Sequence, residues 1–322
     1  MDAHRTPWAA FLMVLVAATL FGTLGVLSRT AYDAGLAPFA WVAWRASIGA
    51  IGLWALIAGR RGARGSLQGL RAASPTARRA LAVAILAAAG LNLSIFVAFE
   101  RTAIALALLA FYTYPAMVAG AAVALGREPL ERTRLAALVL AIAGMVAVVA
   151  GGLDPAGTLA VDALGIGLAL VAALFQTTFI LVSRGYAEIR TDEAMGSILV
   201  GSAVVAVLAS LAADGPSALL LPLGSPSLLG LLVLVGLLAA ALPSMLFLAG
   251  IRRLGPVRAG IVMLFEPVVG VTLAALLLGE RATLLQALGG VTILVAAVLA
   301  QRRPAALVAE PTPAVVPAPG GP

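Results

Sequence analysis

Arg45 and Glu266 are the two charged residues that lie well inside long apolar stretches of the sequence. A charged side chain at the middle of a bilayer costs about 2.5–3.5 kcal/mol on insertion scales, so such residues usually face a cavity or a partner within the protein. An arginine can attract a carboxylate, and a partly desolvated glutamate can exchange a proton with a solute. Each residue could instead join two helices, and the sequence leaves both roles open.

Uncharged polar residues in other apolar stretches extend this set. Tyr112 and Tyr114 offer rings and hydroxyls that can stack on a polar organic solute and hydrogen-bond to it, and Asn92 and Gln176 offer amide groups. Packing between helices is the alternative role for each of them, because polar residues commonly hydrogen-bond across membrane helices. The predicted substrate-binding residues are Arg45, Asn92, Tyr112, Tyr114, Gln176 and Glu266.

Two of these residues directly precede prolines, since Tyr114 precedes Pro115 and Glu266 precedes Pro267. Proline has no N–H, so inside an apolar helix it removes the hydrogen bond to the carbonyl one turn earlier. A helix kink that lines a cavity is therefore predicted at Pro115 and at Pro267.

The composition excludes most sites of enzyme catalysis. The chain has no cysteine, which excludes disulfides, thiolate nucleophiles and cysteine-bound metal, and its one histidine, His4, excludes a histidine cluster. The sequence has no visible Ser/His or paired-carboxylate arrangement. Neither enzyme activity, nor a bound metal, nor a cofactor is expected.

The elements that must position these residues are membrane helices. Hydrophobic residues make up 62% of the chain and charged residues 11%, with a mean hydropathy of +1.09, whereas soluble domains have about 45–50% apolar and about 25% charged residues. About 20 mostly apolar residues in a helix span a bilayer. The apolar runs predict an all-α membrane protein with ten spans, near residues 8–28, 38–58, 80–99, 103–125, 135–153, 163–183, 194–213, 227–250, 259–278 and 282–301.

Arginine accounts for all 21 basic residues, and its distribution predicts the orientation. With the N-terminus inside the cell, seventeen arginines lie in cytoplasmic segments, three lie outside and Arg45 lies within a span. Cytoplasmic loops carry this excess of basic residues. Both termini are therefore predicted to be cytoplasmic, and the net charge of +7 reflects topology rather than nucleic-acid binding.

An internal repeat divides the spans into two groups of five. Residues 16–29 align with residues 171–184 at an offset of 155, and Pro115 aligns with Pro267 at an offset of 152. Because five is odd, the second repeat must cross the membrane upside down relative to the first. The predicted organisation is a first repeat at 1–153, an inverted second repeat at 154–301 and a disordered Pro- and Ala-rich tail at 302–322.

The predicted depths of Arg45 and Glu266 differ. Each lies seven residues into its span, but Arg45 enters from outside and Glu266 from inside. At 1.5 Å per residue each is about 10 Å from its own edge of a core about 30 Å thick, so their Cα atoms differ by about 10 Å in height. We expect them to serve different ends of one central cavity, and a salt bridge between them would contradict this hypothesis.

Together these motifs resemble the EamA-type permeases of the drug/metabolite transporter superfamily. The resemblance covers about residues 8–301. It rests on the five-plus-five inverted spans, on Arg45 in the second span, on Tyr114-Pro115 in the fourth and Glu266-Pro267 in the ninth, and on Glu128 and Glu280, which end the fourth and the ninth span respectively. It implies a ten-helix bundle whose central cavity moves small metabolites, often by export and often amino acids. The sequence departs from the family where Phe21-Gly22 replaces a frequent Trp-Gly.

The predicted function is transmembrane transport of small metabolites, with export as the expected direction, amino acids or related solutes among the candidates, and alternating access as the mechanism. The alternative is a non-transporting membrane scaffold or assembly protein. The expected partners are a small-molecule substrate and the lipid bilayer, without nucleic acid, and a homodimer is a candidate assembly. The arginine-only basic set and abundant alanine are typical of a GC-rich bacterial genome, which predicts a multi-pass protein of the bacterial plasma membrane.

Overall fold

The computed structural model describes residues 6–65, 67–102, 104–126, 131–151, 162–277 and 283–300. Within these ranges the chain forms helices and no strand. The α-helices are α1 Thr6–Gly22, α2 Leu24–Asp33, α3 Pro38–Gly65, α4 Gln68–Ala72, α5 Pro75–Arg101, α6 Ile104–Phe111, α7 Tyr114–Ala124, α8 Arg132–Gly151, α9 Ala163–Val182, α10 Thr191–Ala213, α11 Pro216–Leu220, α12 Pro226–Leu234, α13 Leu242–Leu254, α14 Pro256–Met263, α15 Glu266–Leu277 and α16 Leu284–Leu299. A π-helix, Val235–Ala241, joins α12 to α13 just before Pro243, which has no N–H to give to the preceding turn.

Eight helical stretches of the described residues are long and apolar enough to cross a membrane, beginning at Trp8, Pro38, Pro75, Leu106, Arg132, Ala163, Thr191 and Pro226. The apolar helix α16 is shorter, and α14 with α15 forms a further, interrupted stretch. The prediction of an all-α membrane protein is confirmed. The ten crossings and the side on which the termini lie stay predictions, and the tail at 302–322 lies outside the described residues.

Short connections make consecutive spans run in opposite directions, which divides the helix ends between two faces of the bundle. We call the face at which α1 begins the N-face; α3 and α13 end there, and α10 begins there. The opposite face, where α2 and α8 end and α16 begins, is the far face. The distribution of arginines predicts that the N-face is cytoplasmic.

Helices of the first repeat pack directly on helices of the second, with α1 on α13, α3 on α10, α5 on α9 and α8 on α16. Glycines allow some of these helices to touch at the backbone: a Cβ on Gly144 of α8 would lie 2.8 Å from the carbonyl oxygen of Gly289 in α16. Membrane helices associate through such close packing of small residues, because lipid tails are as apolar as leucine. The interface between the repeats therefore forms the middle of the bundle.

Candidate functional site

A cavity of about 780 Å³ lies between the two repeats. Binding sites for small molecules commonly have volumes of about 300–1,000 Å³. The cavity is lined by all six residues that the sequence predicts to bind substrate, namely Arg45, Asn92, Tyr112, Tyr114, Gln176 and Glu266. Of the two predicted kink positions, Pro267 lines the cavity and Pro115 does not. The structure therefore brings the six residues together, and their binding of a solute stays a prediction.

Two helical spans are interrupted at equivalent places in the repeats. A turn at residues 112–113 separates α6 from α7, and a turn at residues 264–265, at the offset of 152, separates α14 from α15. Pro115 and Pro267 are the second residues of α7 and α15, where the missing N–H costs no helical hydrogen bond. Glu266 is thereby the first residue of α15, so its carboxylate lies at a helix N-terminus, where negative charge is stabilised.

A tyrosine and a close helix contact hold Glu266 at the cavity wall. The Tyr112 hydroxyl lies beside the Glu266 carboxylate and interacts with it. Gly22 of α1 packs against the backbone of Glu266, and a Cβ at position 22 would lie 2.8 Å from the Glu266 carbonyl oxygen and 2.7 Å from Val269 Cβ. A side chain at position 22 would push the start of α15 away, which explains why Phe21-Gly22 keeps its glycine.

Aromatic rings form the wall beside Glu266. Phe111 contacts both tyrosines, with ring centroids 5.4 Å from Tyr112 and 5.2 Å from Tyr114. The Tyr114 hydroxyl interacts with the side chain of Gln176, so the interrupted span of the first repeat contacts α9 of the second. Both tyrosine hydroxyls are therefore held by polar partners while the rings are buried in the bundle.

An amide and a ring hold Arg45, which is only 6% exposed. Its Nη2 group donates to Asn92 Oδ1, and its guanidinium carbon lies 5.0 Å from the centroid of the Phe96 ring. Asn92 Nδ2 donates to the Ala88 carbonyl at 2.7 Å, which turns the amide oxygen toward Arg45. Within the described residues no ion pair joins Arg45 to Glu266. The guanidinium is therefore fixed in place by uncharged partners.

The cavity reaches exposed residues at the far face. Arg29, Thr30 and Asp33 at the end of α2, and Thr283 just before α16, are exposed and line this part of the cavity. Arg29 and Asp33 place one positive and one negative charge at the mouth. A solute on this side meets both charges before it reaches Arg45 and Glu266.

Ion pairs join the helix ends at the N-face. Arg61 of α3 pairs with Asp192 and with Glu193 at the start of α10, and its Nη1 lies 3.2 Å from Glu193 Oε1. Glu193 also accepts a hydrogen bond of 3.1 Å from the Leu70 N–H, and its side chain is completely buried. A buried carboxylate that loses its cation is costly, so these contacts hold α3, α4 and α10 together.

Arg252, in the last turn of α13, adds a second set of contacts at this face. It donates to the carbonyls of Tyr186 and Ile189 and to Thr191 Oγ1 at 2.9 to 3.0 Å. Nearby, Glu188 accepts a hydrogen bond from the Ser74 N–H. We call five of these residues the N-face cluster, and none of the five lines the cavity: Arg61, Glu188, Asp192, Glu193 and Arg252.

Comparison with known proteins shows what this architecture is. A solved structure whose title reads only "Crystal structure of protein" matches with a TM-score of 0.76 and 20% identity, over 91% of this chain and 96% of that chain. That likeness establishes the fold. No curated protein matches the chain. The EamA-like transporter family matches residues 8–150 and 163–301, one match for each repeat. The chain belongs to the EamA-like transporter family.

Membership of the EamA-like family confirms the resemblance drawn from the sequence and makes this chain a multi-pass membrane transporter of the drug/metabolite transporter superfamily. The family is one of transporters rather than enzymes, which agrees with the absence of a catalytic arrangement in the sequence. The wall residues described above therefore lie in the central cavity of a transporter.

Several residues of this EamA-like transporter were not predicted from the sequence. Phe96 lies four residues after Asn92 on α5, so helical spacing could have placed the ring and the amide on one face. The same spacing relates Arg29 to Asp33 at the mouth. No local signal marks Arg61, because its acidic partners lie about 130 residues later in the chain.

Proposed function

We propose that this chain exports small polar metabolites, with amino acids and related solutes as the leading class, by alternating access between its repeats. The observation that carries the proposal is the central cavity. It lies between the repeats, it presents a cation at Arg45 and a carboxylate at Glu266, and it extends to exposed residues of one face. Transporters built from inverted repeats bind their solutes at such an interface.

The described conformation corresponds to the state that is open at the far face. For the cavity to open at the N-face, Arg61 must separate from Asp192 and Glu193, and the mouth at Arg29 and Asp33 must close. Rocking of one repeat against the other accomplishes both changes around a fixed central site. Because the N-face is the predicted cytoplasmic side, the solute enters there and leaves at the far face.

Glu266 is the residue we assign to proton coupling. Its carboxylate lies beside the Tyr112 hydroxyl at the break between α14 and α15, where a change of protonation alters the hydrogen-bonding groups that a solute meets. Glu266→Gln keeps a carbonyl oxygen beside Tyr112 and removes the titration. Uptake driven by a pH gradient should therefore be lost in this variant. Normal transport with an unchanged pH profile would reject the proton role.

Counterflow tests the transport proposal directly. Proteoliposomes loaded with a pooled metabolite mixture are placed in isotope-labelled mixture, and the solutes that accumulate are identified by mass spectrometry for the wild-type chain, Arg45→Gln and Glu266→Gln. Thr178→Val is the matched control, because the Thr178 hydroxyl bonds to the Leu174 carbonyl of its own helix. We expect accumulation of a small set of polar solutes by the wild type and the control, with loss in the other two variants.

Two other results would argue against transport through the cavity. Accumulation that is equal in all four proteins would place the solute path outside the cavity. No accumulation in folded wild-type protein would favour the membrane scaffold or assembly protein instead.

A further inference from the structure

Arg45 is a buried cation that forms no ion pair with any residue in the described part of the chain. Its guanidinium contacts Asn92 and Phe96, which carry no charge, and its Nε has no hydrogen-bond partner. Burying an unpaired charge in a membrane protein is costly, and such residues usually pair with an opposite charge. A cation kept in this environment therefore suits a protein that receives its counter-ion from a ligand.

The surroundings of Arg45 prepare the guanidinium for that ligand. A guanidinium has five N–H donors in a fixed plane, and the hydrogen bond to Asn92 uses one of them. The bond from Asn92 to the Ala88 carbonyl and the Phe96 ring fix the orientation of the plane before any ligand arrives. A carboxylate matches such a planar fork and can accept two hydrogen bonds from it.

We propose that Arg45 and Asn92 form a carboxylate subsite, so that the solutes moved by this chain carry a free carboxylate group. The inference rests on the proposed transport function and names the solute class for the same cavity. The rest of the solute lies along the apolar wall, where Ile95, Phe99, Phe179 and Phe247 line the cavity. Glu266 and Tyr112 then remain available for an amino group.

A pool of matched probes tests the carboxylate requirement. The pool contains the proteinogenic amino acids, their C-terminal amides and the amines that result from decarboxylation, so that each side chain occurs with and without the carboxylate. In counterflow, wild-type protein should accumulate acids at least about tenfold more than the matching amides and amines, since hydrogen bonds to charged groups contribute enough for that ratio. Arg45→Gln should lower the accumulation of acids to the level of the matching amides and amines. Arg45→Lys, which keeps the charge but loses the fork, should retain part of it.

Asn92→Asp separates a binding role of Arg45 from a structural one. The new carboxylate would lie beside Arg45 and occupy the subsite from within the protein. We expect at least about a tenfold loss of acid accumulation, with a midpoint of thermal unfolding equal to or above that of the wild type, because the buried cation gains a counter-ion. A purely structural Arg45 predicts that Asn92→Asp transports acids as the wild type does.

The outcomes distinguish this inference from the function on which it rests. Amides and amines that accumulate as well as the acids in wild-type protein would overturn the carboxylate subsite and leave transport standing. Wild-type acid transport in Asn92→Asp would overturn it as well. If folded wild-type protein accumulates no member of the pool, the proposed function fails for these solutes, and the inference fails with it.

Discussion

The two faces of the bundle are held together by contacts of different strength. At the N-face, Glu193 is completely buried and bonds to both Arg61 and the Leu70 N–H. At the far face, Arg101 and Asp162 pair at 3.0 Å, but their side chains are 44% and 29% exposed. Exposed ion pairs contribute little because water screens them, whereas a buried carboxylate without its cation is strongly destabilised. We therefore predict that the ion pairs of the N-face hold their helix ends together more strongly than Arg101 and Asp162 hold theirs at the far face.

The cysteine-free sequence allows this comparison to be measured. Ser244 lines the cavity, so the variant Ser244→Cys reports how fast a membrane-impermeant maleimide reaches the cavity. Vesicles of each orientation give the labelling rate from each face. In Ser244→Cys we expect faster labelling from the far face than from the N-face. Every variant below also carries Ser244→Cys, and its effect is measured as a change in the ratio of the two labelling rates.

Arg61→Gln should have the largest effect. It removes the shorter ion pair of the buried Glu193 carboxylate and leaves only the exposed Arg190, whose Nε lies 4.0 Å from Glu193 Oε1. Breaking a buried ion pair costs about 3–5 kcal/mol, and the cost here is smaller because Arg61 is 22% exposed and Arg190 remains. We expect labelling from the N-face to rise at least about tenfold, which corresponds to about 1.4 kcal/mol. Arg60→Gln is the control, because Arg60 is exposed at the same end of α3. Equal rates in the two variants would contradict the role of the N-face cluster.

Arg252→Gln should have the next largest effect. The substitution removes donors to the Tyr186 and Ile189 carbonyls and to Thr191, but it leaves no buried carboxylate unpaired. We expect a rise of about three- to tenfold in N-face labelling, in line with the loss of one or two net hydrogen bonds. The double variant with Arg61→Gln should give nearly the product of the single effects if the two sets of contacts act independently.

Arg101→Gln should change the far face only slightly. Its pair with Asp162 is exposed at both ends, so we expect a change of less than about fivefold in labelling from either face. If Arg101→Gln changed the labelling rate from the far face as much as Arg61→Gln changes the rate from the N-face, the contacts at the two faces would not differ in strength.

Titration of Glu188 should have the smallest effect on the ratio of labelling rates near neutral pH. The backbone N–H of Ser74, and then its side chain, hold the pKa of the Glu188 carboxyl below its usual range. Because the folded-state pKa is lowered, this contact stabilises the N-face above the ordinary carboxyl pKa and is lost only as the pH falls through the lowered value. The ratio of N-face to far-face labelling of Ser244→Cys, in which the titration of the thiol itself cancels, should therefore be flat around neutral pH. Glu188→Gln should reproduce the ratio that Ser244→Cys shows in acid.

The helices could be predicted from the sequence because bilayer thickness fixes their length. The predicted span near 38–58 corresponds to a helical stretch from Pro38 to Gly62, and the span near 194–213 to one from Thr191 to Ala213. Glu266 and Arg45 stood out because charge is rare in apolar runs. That both residues line one cavity was expected from the cost of burying a charge, and not from the local sequence pattern.

The contacts of the N-face cluster could not be predicted in the same way. Arg61 contributes to a basic loop, and its charge served only to orient the chain. The pairing with Asp192 and Glu193 depends on how α3 packs against α10, which apolar periodicity does not specify. The orientation of the Asn92 amide depends likewise on its bond to Ala88 and on the neighbouring Arg45.

Blocking the cavity between the repeats tests whether the solute passes through it. Counterflow of amino acids is measured for Ser244→Cys before and after complete maleimide labelling, with Ser217→Cys on the exposed helix α11 as the labelled control. We predict that labelling stops counterflow in Ser244→Cys and leaves it intact in the control. Unchanged counterflow through fully labelled Ser244→Cys protein would contradict it.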